Sequence, residues 1–402
     1  MMADREPIVI AGAGPVGCVL ALYLARAKIP VVLLERGATL PEDLRASTFH
    51  PPTLDMLESL DLTAVLIDLG VFAPTYQYRD RRSGAHAIFD LAVLAGETRH
   101  PYRLQCEQYK LTRLICERLA AMPLARVQFG AQVVGFEPRA NGIDVEVDTG
   151  DGKQRIAASY LVGGDGAHSA VRRQAGIEFE GMTYPEKFLV LSTDAALEAA
   201  LPNLSGVNYV ADGVEWCTIL KTRTLWRVLF PADAGLTDEQ LVADDAVQAR
   251  LQALAPSHTP YRVEHRTLYR VHQRVASRFR SGRVLLAGDA AHVNNPLGGM
   301  GMNGGIHDAF ALGVALQQAQ HDADADVALD QYCTSRRRVA ADFINEQTAR
   351  NKRQMEERDP QKRADHLAEM MAIAADPARA RAYLMKSSMI EALRREGWRG
   401  RR

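Results

Sequence analysis

The sequence predicts an α/β protein of mixed α+β type, in which a parallel-sheet domain is interrupted by a strand-rich domain and followed by helices. Three observations predict this architecture. An apolar strand, a glycine-rich turn, a helix and a second strand open the chain, and such a βαβ unit implies a parallel sheet. Residues 178–271 have mostly strand patterns, and the chain from Met302 onward has helical patterns almost throughout.

The composition excludes several classes of function. A chain of 402 residues with 47% apolar residues is typical of a globular protein of two or three domains. A net charge of −1 gives no overall attraction to nucleic acid. The five cysteines are scattered and include no C-x-x-C pair, which argues against a disulfide framework and against a metal site. With no signal peptide and no long apolar run, we expect a cytoplasmic protein without a membrane segment.

The first turn has the pattern G-x-G-x-x-G, formed by Gly12, Gly14 and Gly17. In a Rossmann-like unit these glycines permit the tight turn, the close approach of a pyrophosphate and the packing of the helix on the sheet. Pro15 suits the first helical turn, where its missing N–H costs nothing. Glu35 ends the second strand, 18 residues after Gly17, where an acid accepts hydrogen bonds from a ribose diol. These features predict a dinucleotide site.

Two further glycine–acid turns follow predicted strands. The first is Gly164-Asp165-Gly166, and the second is Gly288-Asp289, which is followed by the glycine-rich run 296–303 and a helix. A plain NAD dehydrogenase does not need these two extra turns. A carboxylate at Asp289 can accept hydrogen bonds from ribityl hydroxyls at the ligand edge of a parallel sheet. A helix beginning near Met302 would aim its N–H groups and positive dipole end at the negatively charged edge of a reduced flavin.

In these three motifs, their order and their separations, the chain resembles the para-hydroxybenzoate hydroxylase family of single-component FAD-dependent aromatic hydroxylases over roughly residues 5–350. The resemblance implies that Gly288 and Asp289 hold the ribityl chain, and that the Asp165 turn is shared between FAD and NAD(P)H. It also implies that Arg45 and Gln108 contact FAD. The predicted FAD-binding residues are Gly12, Gly14, Pro15, Gly17, Glu35, Arg36, Arg45, Gln108, Asp165, Gly288, Asp289, Pro296, Gly298, Gly301, Met302 and Asn303.

The order of the predicted strands and helices along the chain divides it into three units. Residues 1–75, 101–177 and 273–348 are expected to form a discontinuous FAD-binding domain. Residues 76–100 and 178–272 are expected to form a mixed or antiparallel sheet domain that binds the substrate. Residues 349–402 are expected to form a C-terminal helical segment, which caps the pocket or makes a homodimer contact.

The family chemistry implies that NAD(P)H reduces FAD and that O₂ then forms a flavin C4a-hydroperoxide, which hydroxylates a small aromatic compound. Phenolic, hydroxybenzoate-like and hydroxylated N-heteroaromatic substrates are all compatible with this prediction, and so are NADH and NADPH. The closed site must exclude water while this intermediate exists.

Activation of the substrate requires a base or a proton relay with a suitable pKa. We predict His50, Pro296 and Tyr209 as catalytic residues, with Pro296 as a wall of the pocket. Tyr209, Trp216 and His50 are the predicted substrate contacts. His292 follows the Gly288-Asp289 turn and is expected to hold that turn by hydrogen bonds. The family's pair of catalytic tyrosines has no counterpart in this sequence, so the route of deprotonation stays open.

Three alternatives remain at this point. One is a quinone-biosynthesis hydroxylase. Its substrate would be more hydrophobic, and the basic C-terminal helices would then suit contact with a membrane surface. Another is a flavin reductase or halogenase on the same scaffold, although the Trp-x-Trp-x-Ile-Pro sequence of such halogenases does not occur. The third is a non-catalytic flavin-binding protein.

Overall fold

A computed structural model describes residues 5–42, 46–320 and 325–398 of the chain. Its architecture, with several sheets interleaved with helices, confirms the predicted fold class. Within these ranges, no helix has both the length and the apolar character needed to span a bilayer.

The strands of the described chain are β1 (Ile8–Ala11), β2 (Val31–Glu35), β3 (Thr48–Phe49), β4 (Val71–Ala73), β5 (Thr75–Asp80), β6 (His86–Asp90), β7 (Arg103–Gln105), β8 (Ala125–Phe129), β9 (Gln132–Arg139), β10 (Gly142–Asp148), β11 (Lys153–Ala158), β12 (Tyr160–Gly163), β13 (Phe179–Thr193), β14 (Val207–Ala211), β15 (Cys217–Lys221), β16 (Trp226–Ala232), β17 (Val263–Ala276), β18 (Arg280–Ser281), β19 (Val284–Leu286) and β20 (His292–Val293).

The α-helices of the same ranges are α1 (Pro15–Arg26), α2 (Pro51–Glu58), α3 (Thr63–Leu69), α4 (Gln108–Ala120), α5 (Ala170–Gln174), α6 (Asp238–Val242), α7 (Asp244–Leu254), α8 (Met300–Ala319), α9 (Ala325–Arg338), α10 (Asn345–Met355), α11 (Pro360–Ala375), α12 (Pro377–Ser387) and α13 (Ile390–Arg395). A π-helical stretch, Val339–Ile344, joins α9 to α10.

A six-stranded sheet carries the nucleotide-type motifs. Its strand order is β18-β19-β12-β1-β2-β8, and every neighbouring pair is parallel except β18 with β19. All four residues of β1 are buried, as expected for a central strand covered on both faces. Helix α1 packs against α8 and α4. This packing fixes the turns at the carboxyl ends of the parallel strands.

An eight-stranded sheet forms the second layer, in the order β20-β17-β13-β16-β15-β14-β5-β6. Its pairs are antiparallel except β14 with β5. The sequence patterns of residues 76–94 and 216–230 each predict a hairpin, and the structure has β5–β6 and β15–β16 there. Strand β20 follows the third glycine–acid turn directly and pairs with β17. The turn is therefore tied to both sheets.

A small antiparallel sheet, β3-β7-β4, lies between these two larger units. The C-terminal helices cover the edge of the eight-stranded sheet, where Tyr383 of α12 stacks on Phe89 of β6 with ring centroids 4.8 Å apart. In the same apolar cluster are Tyr76, Trp216 and Leu297. This cluster therefore brings the C-terminal helices, the eight-stranded sheet and the loop before α8 together. The exact domain boundaries stay a prediction.

Two predicted elements are divided in the structure. The sequence pattern of residues 128–137 predicts one strand, but the structure has two, β8 and β9, because Gly130 adopts a φ of 62° between them. The pattern of residues 238–254 predicts one helix, but the structure has two, α6 and α7, because Ala243 is extended, with a ψ of 146°.

The long helix of the third motif begins at Met300 rather than near Met302. Gly299 has a φ of 66° and serves as its N-cap. This left-handed conformation is easily adopted by glycine, so the turn can close two residues earlier than predicted. Gly301, Met302 and Asn303 therefore belong to the first turn of α8.

Candidate active site

Three glycine-containing turns meet at the carboxyl edge of the six-stranded sheet. The Gly12 N–H donates to the Leu34 carbonyl at 2.7 Å, and the Gly164 N–H donates to the Ala11 carbonyl at 2.9 Å. The Ala287 N–H extends the series by donating to the Gly163 carbonyl at 3.0 Å. The motifs that lie far apart in sequence are thus lateral neighbours, at the edge where ligands of such sheets bind.

The residues at this edge fit an FAD molecule. A Cβ atom added to Gly14 would meet no heavy atom within 4 Å, so a ligand can approach the backbone there. The Asp165 Oδ1 atom is buried and has no partner among the described residues, whereas its Oδ2 atom accepts from the Ala170 and Val171 N–H groups at the start of α5. Asp289 is exposed on the turn after β19. An open backbone cradle, an unpaired carboxylate oxygen and an exposed acid match the phosphate and hydroxyl groups of FAD.

The remaining predicted contacts of the adenosine side occupy different environments. The Glu35 carboxylate accepts from the Ala13 and Gly37 N–H groups, each at 2.9 Å, which fixes it beside the glycine-rich turn. Gln108 is half-buried at the first position of α4, and Arg36 is exposed. The prediction for Arg45 lies outside the described residues.

The loop before α8 places bare backbone beside a buried histidine. Gly298 is buried, while Gly301 and Met302 are half-buried. The N–H groups of the first turn of α8 have no intrahelical acceptors, and the helix dipole adds positive potential there. A flat ring lying on this loop would therefore face N–H donors. The placement of the flavin ring at this helix start stays a prediction.

Asn303 has a structural role that the sequence did not indicate. Its side chain is fully buried, and its Oδ1 atom accepts from the His50 N–H at 2.9 Å. Its Nδ2 atom donates to the Thr48 carbonyl at 2.8 Å and to the Gly299 carbonyl at 2.6 Å. The side chain thus clamps β3 to the loop before α8. To contact FAD, the Asn303 side chain would have to break these three hydrogen bonds. Its backbone N–H lies in the first turn of α8.

A largely buried ionic cluster supports the Gly288 turn from behind. We call it the Asp308 cluster: Asp308, His292, Arg336 and Glu396. Asp308 Oδ2 accepts from the Gly288 N–H at 2.9 Å and pairs with His292 Nε2 at 2.7 Å. Asp308 Oδ1 accepts from Arg336 Nε at 2.6 Å. Burial alone would raise the pKa of the Asp308 carboxyl, but His292 and Arg336 hold it well below its ordinary value.

A second buried polar group lies on one face of the small sheet. In the β3–β7 pair, Thr48 is opposite Gln105 and Phe49 is opposite Leu104. Continuing this register by one residue places His50 opposite Arg103, on the same face as Thr48 and Gln105. We call these four residues the His50–Arg103 face. The Thr48 hydroxyl donates to Gln105 Oε1 at 3.0 Å, and a Cβ atom added to Gly299 would lie 3.5 Å from His50 Nε2. The face therefore abuts the loop before α8.

Several buried atoms of this face lack hydrogen-bond partners within the described ranges. They are His50 Nδ1, Arg103 Nε and Gln105 Nε2. An unpaired buried polar atom costs about 1–3 kcal/mol, so three of them on one face call for an explanation. Arg103 also lies over the Tyr76 ring at 4.4 Å and donates from Nη1 to the Tyr209 hydroxyl at 3.3 Å. The face is thus continuous with the aromatic side chains of the eight-stranded sheet.

The hydrogen bonding of His50 defines its tautomer. Its Nε2 atom lies 2.8 Å from the Gly298 carbonyl, which can only accept, so Nε2 carries the proton. In the neutral ring Nδ1 is then a hydrogen-bond acceptor. Burial lowers the pKa of His50 well below its ordinary value, and Arg103 lowers it further. His50 is therefore neutral at neutral pH and has a free acceptor atom.

The other predicted catalytic and substrate residues lie around this face. The Pro296 carbonyl accepts from the Gly299 N–H at 2.9 Å, so Pro296 shapes the loop. Tyr209 is half-buried and contacts Arg103 through its hydroxyl. Trp216 is 3% exposed and packs edge-on against Phe188, with ring centroids 5.4 Å apart. Tyr209 is thus joined directly to the candidate site, whereas the packing of Trp216 is that of a core residue.

Sequence reasoning missed Arg103, Gln105 and Asp308. An arginine and a glutamine alternating in the short strand β7 are a weak signal, because alternation usually indicates a solvent-facing strand side. Asp308 stands in an otherwise apolar stretch of α8, and an acid at such a position needs a buried partner. That signal was present in the sequence. Its partner, 28 residues away in α9, could not be identified from it.

The described features can be compared with known proteins. The family model described as "FAD binding domain" matches residues 5–347 of the chain. The chain is 34% identical over 387 residues to para-nitrophenol 4-monooxygenase from Pseudomonas sp. strain WBC-3, with 96% of each chain covered. It is 32% identical over 362 residues to 6-hydroxy-3-succinoylpyridine 3-monooxygenase from Pseudomonas putida strain DSM 28022 / S16, covering 89% of this chain and 91% of that one.

A solved structure gives the same picture for the whole fold. The crystal structure of p-nitrophenol 4-monooxygenase from Pseudomonas putida DLL-E4 superposes with a TM-score of 0.90 at 31% identity, and 99% of each chain is covered. The likeness therefore includes both sheets and the C-terminal helices.

Proposed function

This chain belongs to the para-hydroxybenzoate hydroxylase-like family of FAD-dependent aromatic hydroxylases, and on that basis we propose that it hydroxylates a small phenolic or hydroxylated N-heteroaromatic compound. FAD is its cofactor, and a reduced nicotinamide and O₂ are its co-substrates. The observation that carries the choice of substrate is the unpaired, buried His50 Nδ1 atom beside the loop that precedes α8. Both named relatives act on a ring that carries a hydroxyl or phenol group, as their names state.

The residues that would hold FAD are those at the carboxyl edge of the six-stranded sheet. The glycine-rich turn and Glu35 would bind the adenosine diphosphate part, and Asp165 and Asp289 would bind hydroxyl groups. The first turn of α8 would face the flavin ring. When bound, FAD supplies the transfer of electrons from the nicotinamide to O₂ and the delivery of one oxygen atom to the ring.

His50 is proposed to receive the proton of the substrate hydroxyl. Its Nε2 proton is committed to the Gly298 carbonyl, so Nδ1 is the atom that a phenol O–H can reach as a donor. A phenol that loses its proton becomes a more electron-rich ring. His50 is fully buried, which keeps water away from the atom that receives the proton.

The proposed function is tested with the purified protein and a panel of ring compounds. We expect a yellow protein that releases FAD on denaturation. Hydroxybenzoates, other phenols and hydroxylated N-heterocycles are added while the oxidation of NADH or NADPH and the release of H₂O₂ are followed. A true substrate accelerates nicotinamide oxidation and suppresses H₂O₂. Oxidation that always ends in H₂O₂, whichever compound is added, would instead identify a non-oxygenating flavoprotein.

Two matched variants separate the cofactor site from the substrate site. Asp289→Ala should lose FAD, because it removes the exposed acid of the Gly288 turn. Tyr209→Ala should keep FAD, because Tyr209 lies on the eight-stranded sheet. FAD content is measured by absorbance after gel filtration. Full occupancy in Asp289→Ala would contradict the assignment of that turn.

We also propose a cytoplasmic location and a homodimer contact through the C-terminal helices. Gel filtration with light scattering tests the second proposal, and a monomer would contradict it.

A further inference from the structure

The free atoms of the His50–Arg103 face form a chemically complementary set. His50 Nδ1 is an acceptor, whereas Arg103 Nε and Gln105 Nε2 are donors, and all three are buried without a partner among residues 5–42, 46–320 and 325–398. A hydroxyl group on a ring donates one hydrogen bond and accepts up to two. A phenol oxygen is therefore the group whose bonding capacity matches this face.

The charge of Arg103 points to the same kind of ligand. Arg103 is 2% exposed, and no carboxylate of the described chain lies within ion-pair distance of it. It contacts the neutral Tyr76 ring and the Tyr209 hydroxyl. A buried cation without a counter-ion is costly. The buried Arg336 of the Asp308 cluster is, by contrast, paired with the carboxylates of Asp308 and Glu396.

We propose that Arg103 receives the hydroxyl oxygen of the substrate and stabilises it as a phenolate, with Gln105 as a second donor. This inference rests on the proposed function, because it assigns the part of the substrate that faces β7. It adds Arg103 as a catalytic residue to that function.

The residues of this face can accept both the proton and the negative charge that form when the substrate hydroxyl ionises. The phenol O–H bond breaks, its proton moves to His50 Nδ1, and the electron pair stays on the oxygen. Arg103 Nε then donates to an anion rather than to a neutral oxygen, which strengthens that bond. Arg103 disfavours a proton on His50 when the site has no anion. A bound phenolate removes this penalty, because it lies between the two positive charges.

The test uses the FAD-loaded protein and two probes, 4-nitrophenol and its neutral methyl ether 4-nitroanisole. Binding is measured by quenching of flavin fluorescence. The yellow phenolate absorbance of bound 4-nitrophenol is recorded at a pH where the free compound is mostly protonated. Arg103→Gln removes the charge, and Arg103→Lys keeps the charge without the planar guanidinium. Arg79→Gln is the matched control, since Arg79 is also buried but lies on the alternate side of β5 from Tyr76 and bonds the Pro202 carbonyl.

We expect the wild-type protein to bind 4-nitrophenol as the phenolate. Arg103→Gln should weaken that binding by about 30-fold or more and abolish the phenolate signal. The affinity for 4-nitroanisole should be unchanged, Arg103→Lys should be intermediate, and Arg79→Gln should match the wild type. Unaltered phenolate binding in an Arg103→Gln protein with full FAD content would overturn the inference.

Misfolding of a variant and failure of the proposed function are recognised by separate measurements. Melting temperature and FAD content identify a misfolded Arg103→Gln protein, and in that case the Arg103→Lys protein is used instead. If Arg103→Lys binds 4-nitrophenol more weakly but 4-nitroanisole normally, the inference is supported. An equal loss of binding of both compounds overturns it. A wild-type protein in which no phenol accelerates nicotinamide oxidation contradicts the proposed function. Normal turnover of phenols by both wild type and Arg103→Gln contradicts only the role of Arg103.

Discussion

Two buried polar groups flank the loop before α8, and they differ in how fully their atoms are paired. In the Asp308 cluster both carboxylate oxygens of Asp308 accept hydrogen bonds, and all three nitrogens of Arg336 donate, to Asp308, Glu396 and the Gly304 carbonyl. Among the described residues, Glu396 Oε1 is the one buried atom of this cluster without a partner, whereas three buried atoms of the His50–Arg103 face have none. We therefore assign the first group to the support of the fold, and we propose that the second binds a ligand.

The comparison also explains how the two groups cooperate. The Asp308 cluster holds the Gly288 turn, where the ribityl chain is proposed to bind, and it reaches Glu396, just beyond α13. Asn303 holds the His50–Arg103 face against the same helix, α8. Helix α8 thus carries the supports of both the cofactor turn and the substrate face. A change in the paired group should affect stability first, and a change in the unpaired group should affect ligand binding first.

The largest effect is expected for Asp308→Ala. It leaves the buried Arg336 without one of its two acid partners and frees the Gly288 N–H. Removal of one partner of a buried pair costs about 3–5 kcal/mol, and we expect this loss together with release of FAD. Urea unfolding monitored by circular dichroism gives the free energy, and absorbance gives the FAD content. Asp326→Ala, which breaks an exposed pair with Arg280, should leave both quantities nearly unchanged. A stable, yellow Asp308→Ala protein would remove the basis of the comparison.

The second prediction concerns acid stability and His307, which neighbours Asp308 in α8. Burial lowers the pKa of His307 from 6.5 to about 3. Between these values the unfolded chain takes up a proton that the native protein does not. Stability should therefore fall as the pH is lowered from 6.5 towards 3, by up to about 1.4 kcal/mol per pH unit from this group.

His307→Gln keeps a hydrogen-bonding group near the Thr53 hydroxyl, which lies 2.9 Å from His307 Nε2, but it does not titrate. We expect the free energy of unfolding of this variant to depend less steeply on pH than that of the wild type over the same window. Denaturant unfolding at several pH values between 4 and 7 measures both slopes. Equal slopes would show that His307 is protonated in the native protein.

Sequence reasoning brought the three glycine-containing turns to one edge of the sheet because their signals are local. Glycines and acids at strand ends specify backbone turns within a few residues, and three such turns must meet at the carboxyl edge of a parallel sheet. The His50–Arg103 face depends instead on the register between β3 and β7, which are more than fifty residues apart. No local pattern specifies that register. His50 could therefore be proposed as a site residue from the sequence, because it follows a motif. Arg103 could be identified only in the structure, through its cross-strand neighbour His50.

A smaller effect is expected for Trp216→Phe, which tests where the substrate region ends. Trp216 packs against Phe188 and is almost fully buried, so the smaller ring should leave a partial cavity. We expect a loss of about 1–2 kcal/mol in the free energy of unfolding. The affinity for 4-nitrophenol should remain that of the wild type. A weaker affinity without a loss of stability would instead support the predicted contact between Trp216 and the substrate.

The smallest effect is expected for Tyr209→Phe, which adds one more unpaired atom to the His50–Arg103 face. The change removes the hydroxyl that accepts from Arg103 Nη1 at 3.3 Å and keeps the ring that packs edge-on to Tyr76. A single hydrogen bond of this kind contributes about 1 kcal/mol, so the affinity for 4-nitrophenol should fall about fivefold while FAD content stays constant. Tyr261→Phe is the control, because Tyr261 bonds the Ala255 carbonyl in a separate apolar cluster and should not alter binding. If Tyr209→Phe instead tightened phenol binding, the Tyr209 hydroxyl would be competing with the substrate for Arg103. The Arg103 guanidinium would then still be the group that binds the ligand.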